Sequence, residues 1–244
     1  MAEWTAKRFW SDVSLEATAD GFGIRLDGRP VRTPGKRELL VPTQALAEVI
    51  ADEWRAQAQV IDPSTMPATR SANSALEKVA PHRAVVQGEI AGYAETDLLC
   101  YRATGPAELI ARQAAAWDPL LEWATTSLDA RLLVTVGVMP VDQPPGAIRA
   151  LTTAMNPMSD FELTGFHDLV ALSGSFVLAL AVARRHAGAE PAWDLSRIDE
   201  SWQAELWGAD EQAAEMAAAK RAAFLHAGRF FHLSQVQNSV PDAR

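Results

Sequence analysis

The chain has 244 residues, of which 48% are hydrophobic and 22% are charged, the composition of a globular protein with a sizeable buried core. Its 31 acidic residues outnumber its 22 lysines and arginines and give a formal net charge of −9. This balance argues against a nucleic-acid partner, because such a partner requires a basic surface. The single cysteine excludes an internal disulfide and a zinc site built on cysteines.

The sequence shows no segment for secretion or membrane insertion. Its start, MAEWTAKRFW, lacks an apolar stretch of signal-peptide length. The most apolar segment, residues 169–183, is shorter than the roughly 20 residues that a membrane span needs. We interpret that segment as a buried helix and expect no membrane insertion.

The first forty residues predict antiparallel strands. Alternating segments are separated by two Asp-Gly pairs, which favour tight hairpin turns, and a further extended segment follows a Pro-Gly pair. The predicted strands occupy residues 13–19, 22–26, 29–33 and 38–42.

A helix is expected after these strands. Thr43 can cap its N-terminus, and the pattern continues to about Gln59. Pro63 and Pro67 then follow, and we expect them to prevent regular structure. The apolar positions at helical spacing, which predict the buried face of this helix, are Leu46, Val49, Ile50 and Trp54.

From about residue 71 the pattern is almost entirely helical. One short strand is expected within residues 131–136, and Gly228 is expected to end the last helix. The predicted helices occupy residues 71–79, 82–94, 106–128, 144–155, 160–170, 172–187, 195–206 and 209–227.

The predicted fold class is therefore α+β, with two domains. Residues 1–90 would form a small antiparallel β-rich domain with a helix, and residues 91–234 a larger all-helical bundle. Residues 235–244 are expected to form a flexible tail.

The sequence lacks the common motifs for nucleotide and metal binding. PGKR at 34–37 is not a phosphate-binding loop, because Pro30 and Arg37 stand where glycine and Ser or Thr are required. A G-x-S-x-G nucleophile elbow is also absent. The five histidines include no pair at i, i+4 spacing, so we expect no metal site.

The segment ETDLLCYRA, residues 95–103, combines several chemically active side chains. Cys100 would be a nucleophile only with a histidine base nearby, and an enzyme of that kind is the alternative hypothesis for this chain. The structural interpretation is stronger, because free cysteines are usually buried. Asp97 can accept hydrogen bonds from free backbone amides at a helix start, where Glu95 also lies, and Arg102 can pair with a carboxylate.

Tryptophan is the remaining unusual feature, with eight residues in the chain. Most large aromatic side chains lie in a core, but exposed tryptophans anchor protein interfaces. An acidic chain without a catalytic constellation and with spare aromatic residues therefore favours a binding role.

Six long motifs together resemble a known family. It is the family of assembly chaperones that bind the unassembled α subunit of the F-type ATP synthase in mitochondria and related bacteria. The motifs occur in the same order as in the family and cover most of the chain. They lie at residues 8–15, 21–36, 50–73, 95–103, 113–124 and 196–208.

This resemblance implies an N-terminal α+β domain, a C-terminal helical bundle, no enzymatic activity and no cofactor. The implied partner is the free α subunit, which such chaperones hold until a β subunit arrives. The chain begins directly at the first family motif, so it resembles a bacterial cytoplasmic member. We expect a monomer.

The motif SRIDESWQAELWG at 196–208 supplies the candidate partner-binding residues. Ile198, Trp202 and Leu206 recur at helical spacing and should face the core. Glu200 is the leading interaction carboxylate, although a charged helix face can also be merely solvated. The candidates for partner binding are Asp199, Glu200, Gln203, Glu205 and Trp207. The residues expected to be structural are Trp54, Glu95, Asp97 and Arg102.

Overall fold

Antiparallel strands begin the fold of the computed structural model, which describes residues 7–208 and 210–236. β1 (Val13–Thr18) and β2 (Gly21–Leu26) form a hairpin in which Val13 lies opposite Leu26. The short strands β3 (Arg29–Pro30) and β4 (Leu40–Val41) also pair with β2 in antiparallel orientation. The hairpins predicted from the sequence are confirmed.

The Asp27-Gly28 turn shows why the first sheet forms here. Both residues have a positive φ, 47° and 77°, as a tight turn matched to the strand twist requires. The Asp27 carboxylate also accepts hydrogen bonds from the amides of Ser11 (3.1 Å) and Asp12 (2.8 Å). The same residue therefore closes the β2–β3 turn and fixes the chain that enters β1.

Helix α1 (Gln44–Arg55) follows the sheet and begins as predicted. The Thr43 hydroxyl accepts a hydrogen bond from the amide of Leu46 (3.1 Å), so the predicted N-cap is confirmed. The helix ends four residues before Gln59, at Arg55. Leu46, Ala47, Ile50 and Ala51 form its fully buried face, whereas Val49 and Trp54 are partly buried.

The expectation that Pro67 would prevent regular structure is wrong. Pro67 is the first residue of α2 (Pro67–Ser74), where a proline is tolerated because that amide has no helical partner. Pro63 begins a single 3₁₀ turn, capped by the Asp62 carboxylate. After α2 the chain passes through one π-helical turn, Ala75–Val79, and a 3₁₀ turn, Ala80–His82.

The remaining helices largely match the prediction, and the exceptions follow from local breaks. The apolar helix expected at 172–187 is shorter, because Gly174 adopts a φ of 71° and Ser175 caps a new helix. Strands β5 (Tyr101–Arg102) and β6 (Thr135–Val136) pair in parallel. The helices are α3 (Arg83–Glu95), α4 (Ala107–Leu128), α5 (Pro145–Thr153), α6 (Asp160–Ser173), α7 (Phe176–Ala183), α8 (Ala189–Ser196), α9 (Ile198–Trp207) and α10 (Glu211–Ser234).

Helices α8 and α10 differ most from expectation. The sequence pattern did not predict a separate helix at α8. Gly228 does not end α10, which continues to Ser234, so the prediction of a helix end there is wrong. A Cβ at Gly228 would lie 3.3 Å from the Ala189 Cβ and 3.4 Å from a Val182 methyl. The glycine therefore serves close packing of α10 rather than termination.

Residue contacts divide the chain into two compact units. The first comprises the described residues within Met1–Pro81, Asp160–Thr164 and Arg229–Arg244, and the second comprises His82–Ser159 and Gly165–Gly228. The sheet, α1 and Phe230 form a core in the first unit, and all eight residues of α7 in the second unit are buried. The two domains expected from the sequence, residues 1–90 and 91–234, stay a prediction.

The α+β fold class predicted from the sequence is confirmed. The expected flexible tail at 235–244 lies mainly outside the described residues. In the described part of the chain, no helix is both long and apolar enough to span a membrane.

Candidate functional site

The segment ETDLLCYRA is built around the buried carboxylate of Asp97, which is 0% exposed. Its Oδ1 accepts hydrogen bonds from the amide of Leu99 (3.0 Å) and the hydroxyl of Ser175 (2.8 Å), and its Oδ2 from the amide of Val177 (2.9 Å). Asp97 thus caps both the 3₁₀ turn Leu98–Cys100 and the start of α7. Burial raises the pKa of this carboxyl to about 6, against the opposing effect of these hydrogen bonds.

Cys100 does not have the environment of a nucleophile. Its side chain is 1% exposed, and burial, followed by the charge of Asp97, raises the pKa of the thiol to about 12. At neutral pH the sulfur is therefore protonated, whereas a nucleophilic cysteine reacts as the thiolate. These observations argue against the alternative hypothesis of an enzyme that uses Cys100.

Arg102 holds β5 against α4. Its guanidinium forms an ion pair with Asp118 (2.8 Å), donates a hydrogen bond from Nε to the Leu99 carbonyl (3.1 Å) and lies 5.3 Å from the centre of the Trp117 ring. Arg102 is 8% exposed. Glu95 is the exposed last residue of α3, and its structural role stays a prediction.

A cleft of about 440 Å³ lies between α9 and the segments around β5 and the end of β6. Gly137, with a φ of 81°, turns the chain at its rim. The lining is mostly apolar, with a few polar groups. It consists of Tyr101, Arg102, Ala103, Thr104, Gly105, Pro106, Leu109, Gly137, Val138, Asp199, Trp202, Gln203, Leu206 and Trp207.

Large apolar side chains at the rim of this cleft are exposed to solvent. Trp207 is 78% exposed, Leu206 56% and Val138 89%. The expectation that Leu206 faces the core is wrong, because Ile198 is the only buried residue of α9. Trp202, also expected in the core, is partly buried and lines the cleft. Contiguous exposed apolar side chains usually mark a site where a partner binds.

Gln113 of α4 positions the start of α9 beside the cleft. The Gln113 carboxamide is fully buried; its Nε2 donates to the Asp199 carboxylate (2.6 Å) and its Oε1 accepts from the amide of Ala103 (2.8 Å). One side chain therefore links α9 to the loop after β5. Gln113 therefore fixes the positions of the Asp199 carboxylate and the Ala103 amide, and both residues line the cleft.

Comparisons with known proteins identify the family. The family model described as "ATP12 chaperone protein" matches residues 7–125. The crystal structure of Atp12 from Paracoccus denitrificans is 50% identical in sequence, with a TM-score of 0.92, and the match covers 96% of this chain and 100% of that one. This chain belongs to the ATP12 chaperone family. The family assignment made from the sequence motifs is confirmed, and with it a role as a chaperone in ATP synthase assembly.

Other relatives agree with this assignment. The mitochondrial protein atp12 of the yeast Schizosaccharomyces pombe is 22% identical over 222 residues, which cover 86% of this chain and 76% of that protein. The Atu1473 protein of Agrobacterium tumefaciens is 41% identical, with a TM-score of 0.89, and the match covers 94% and 86% of the two chains. An aspartate-to-lysine variant of the Paracoccus protein has also been solved and is similarly close.

The five predicted partner-binding residues of this ATP12-family chain divide into two groups. Asp199, Gln203 and Trp207 line the cleft. Glu200 lies outside it, half-exposed, and forms an ion pair with Arg197 (2.8 Å). Glu205 pairs with Arg112 (2.9 Å) across a second depression, on the other side of α9.

The sequence analysis did not assign the segment 132–141 to the site. The segment 132–141 reads LLVTVGVMPV and carries no charged residue. Within it Val136, Val138 and Met139 are 65%, 89% and 72% exposed. An uncharged run outside a regular helix was the available signal, but it is equally typical of a buried strand.

Proposed function

We propose that this ATP12-family chaperone binds the unassembled α subunit of the F-type ATP synthase at the cleft beside α9, and releases it when a β subunit pairs with it. The supporting observation is the exposed apolar rim of Leu206, Trp207 and Val138 around a cleft with fixed polar groups. An α subunit without its neighbours exposes apolar surface that would otherwise drive aggregation. Covering that surface needs neither catalysis nor a cofactor.

A moderate interface suits such a transient role. Standard protein complexes bury about 1,200–2,000 Å² in total, and larger, more apolar interfaces are typical of permanent assemblies. The cleft and the exposed end of α9 provide an exposed aromatic anchor in Trp207 and polar groups in Asp199 and Gln203, with Glu200 outside the cleft. We further propose that the chaperone acts as a monomer in the bacterial cytoplasm, in keeping with its similarity to the Paracoccus protein.

Co-expression with the cognate α subunit tests this proposal. In the absence of β subunit, we expect a soluble complex that elutes as one species in size-exclusion chromatography and dissociates when β subunit is added. Insoluble α subunit beside free, folded chaperone would contradict the proposal. Equal protection of an unrelated aggregating protein would contradict the specificity for α.

Two variants locate the interface. Trp207→Ala should cost about 2 kcal/mol or more of binding free energy, roughly a 30-fold rise in Kd, because exposed tryptophans often dominate an interface. Val85→Ala, at a 61% exposed position of α3, is the matched control and should leave Kd unchanged.

Glu200→Lys should also weaken binding, whereas Glu215→Lys makes the same change in net charge on the exposed face of α10 and should not. An unchanged Kd for both Trp207→Ala and Glu200→Lys would exclude this site.

A further inference from the structure

The segment at the end of β6 carries exposed apolar side chains, on the strand itself and on the bend that follows it at Gly137 and Val138. Val134 and Val136 are 47% and 65% exposed, and Val138 and Met139 follow at 89% and 72%. Apolar side chains beside an open sheet edge are a liability for a free protein, because the unpaired backbone groups of the edge can template pairing with another chain. Their exposure suggests that a partner covers them.

The backbone of β6 has an unpaired outer edge. β6 pairs with β5 in parallel, with Arg102 opposite Val136, and the Gly137 amide donates to the Arg102 carbonyl (2.8 Å). In a parallel ladder the N–H and C=O of the intervening residue, Val136, then point away from β5. Neither group has a partner within residues 7–208 and 210–236.

Side-chain hydrogen bonds hold the backbone on both sides of Val136 in place. The Gln143 carboxamide pairs with both backbone groups of Leu133, donating to the carbonyl and accepting from the amide, each at 2.8 Å. The Thr135 hydroxyl donates to the Met139 carbonyl (3.2 Å). The edge is therefore held in shape before any partner binds, which reduces the entropy lost on binding.

We propose that the outer edge of β6 accepts an extended, apolar strand of the client, which adds a third strand to the β5–β6 sheet. This inference rests on the function proposed above and gives its binding mode. The outward N–H and C=O of Val136 can both be paired by an extended client backbone, and the uncharged stretch 132–141 favours apolar side chains opposite it. Val138 belongs both to this segment and to the cleft, so one client strand can contact both.

The charge of the chain selects the client over a second copy of itself. Two copies with a net charge of −9 each repel one another, whereas a client strand flanked by lysine or arginine is attracted. The edge is also short, since β6 comprises only Thr135–Val136. A short strand addition provides few hydrogen bonds, which is consistent with release when a β subunit competes.

A proline substitution tests the strand addition directly. Val136→Pro removes the outward N–H but none of the bonds to β5, and a proline is tolerated at an outer edge. With purified α subunit as the probe, we expect Val136→Pro to raise Kd about tenfold, through the lost hydrogen bond and the clash of the ring with the incoming strand. Val136→Ala keeps the N–H and should raise Kd less than about threefold.

Hydrogen exchange of the unmodified chain gives a test that needs no variant. Addition of α subunit should slow exchange of the Val136 amide at least about tenfold, because the client carbonyl accepts its hydrogen bond. Unchanged exchange at Val136 in a complex that forms, or an equal Kd for Val136→Pro and Val136→Ala, would overturn the strand addition. The proposed function would then still stand if Trp207→Ala weakens the complex.

The remaining outcomes are also decisive. A chain that alone elutes as a dimer, and as a monomer after Val136→Pro, would show that a second copy occupies the edge and would overturn the inference. Absence of any complex between the unmodified chain and α subunit would overturn the proposed function and this inference together.

Discussion

At the scale of single residues, Asp97 places an ionisable carboxyl in the core of the protein. This carboxyl is fully buried and accepts three hydrogen bonds. The donors are the Leu99 amide in the 3₁₀ turn, and the Ser175 hydroxyl and Val177 amide at the start of α7. Burial disfavours the charged form, and it raises the pKa of Asp97 from its ordinary 3.8 to about 6. Near neutral pH the group is therefore ionised inside the core, held by its hydrogen bonds.

Asp97 should make the stability of the chain depend on pH between about 4 and 6. In this range the native state keeps the Asp97 proton and the unfolded chain has lost it, so the native state binds more protons. The free energy of unfolding should consequently fall as pH rises through this window. The contribution of this one group is about 3 kcal/mol, since each unit of pKa difference corresponds to about 1.4 kcal/mol.

The variant Asp97→Asn isolates this contribution. Urea denaturation of both proteins at several pH values should show the advantage of Asp97 over asparagine shrinking from pH 4 to pH 6 and then becoming constant. The other titrating groups are present in both proteins and cancel in the difference. A difference that is independent of pH would mean that the pKa of Asp97 is the same in the folded and unfolded chains.

At the scale of elements, α10 shows how tertiary packing overrides a local signal. A glycine near lysine and arginine residues is typical of a helix end, yet Gly228 lies inside α10. The close approach of Ala189 and Val182 leaves no room for a larger side chain there. The glycine is retained at the cost of about 1 kcal/mol of helix propensity, because it permits this contact.

Gly228→Val should therefore destabilise the chain. We expect a loss of about 1–3 kcal/mol in the free energy of unfolding, as overpacking of a close helix contact usually costs. The exposed position Ala218 of α10 is the control, where Ala218→Val should cost only about half a kcal/mol through helix propensity. Both values can be measured by chemical denaturation, and equal losses at the two positions would show that Gly228 is not at a close contact.

The elements that the sequence predicted well are those whose cause is local. The Asp27-Gly28 turn and the Thr43 cap depend on residues within three or four positions, so their chemistry is readable in one sequence. Leu206 was assigned to the core because its spacing from Ile198 is helical, but spacing does not tell where a helix stops being covered. The burial of a helix end depends on which other elements pack against it, and the sequence alone does not predict that packing.

The candidate site was predictable only in part for the same reason. The motif around α9 pointed to Asp199, Gln203 and Trp207, and these residues line the cleft. Gln113 is 86 positions from Asp199 along the chain, and their 2.6 Å hydrogen bond exists only in the folded structure. The exposed edge of β6 likewise depends on its pairing with β5, since a short apolar run alone predicts burial.

At the scale of the whole molecule, the net charge of −9 should influence how the chaperone finds its client. Long-range attraction between a negative protein and a positive surface mainly raises the association rate, while short contacts at the interface set the dissociation rate. Glu200 lies at the exposed side of α9, where its ion pair with Arg197 offsets part of its contribution to this field. Salt screens such attraction, because the Debye length falls from about 10 Å at 0.1 M to about 3 Å at 1 M.

Association with α subunit should consequently slow as salt is added. We expect the association rate constant to fall about tenfold between low and high ionic strength, with a smaller change in the dissociation rate. Stopped-flow mixing at several salt concentrations measures both, and Glu200→Lys should flatten the salt dependence more than Glu215→Lys does. An association rate that does not change with salt would show that the client strand lacks the flanking lysine or arginine proposed for it. Recognition would then rest on apolar contact with Trp207 and the β6 edge, without electrostatic attraction.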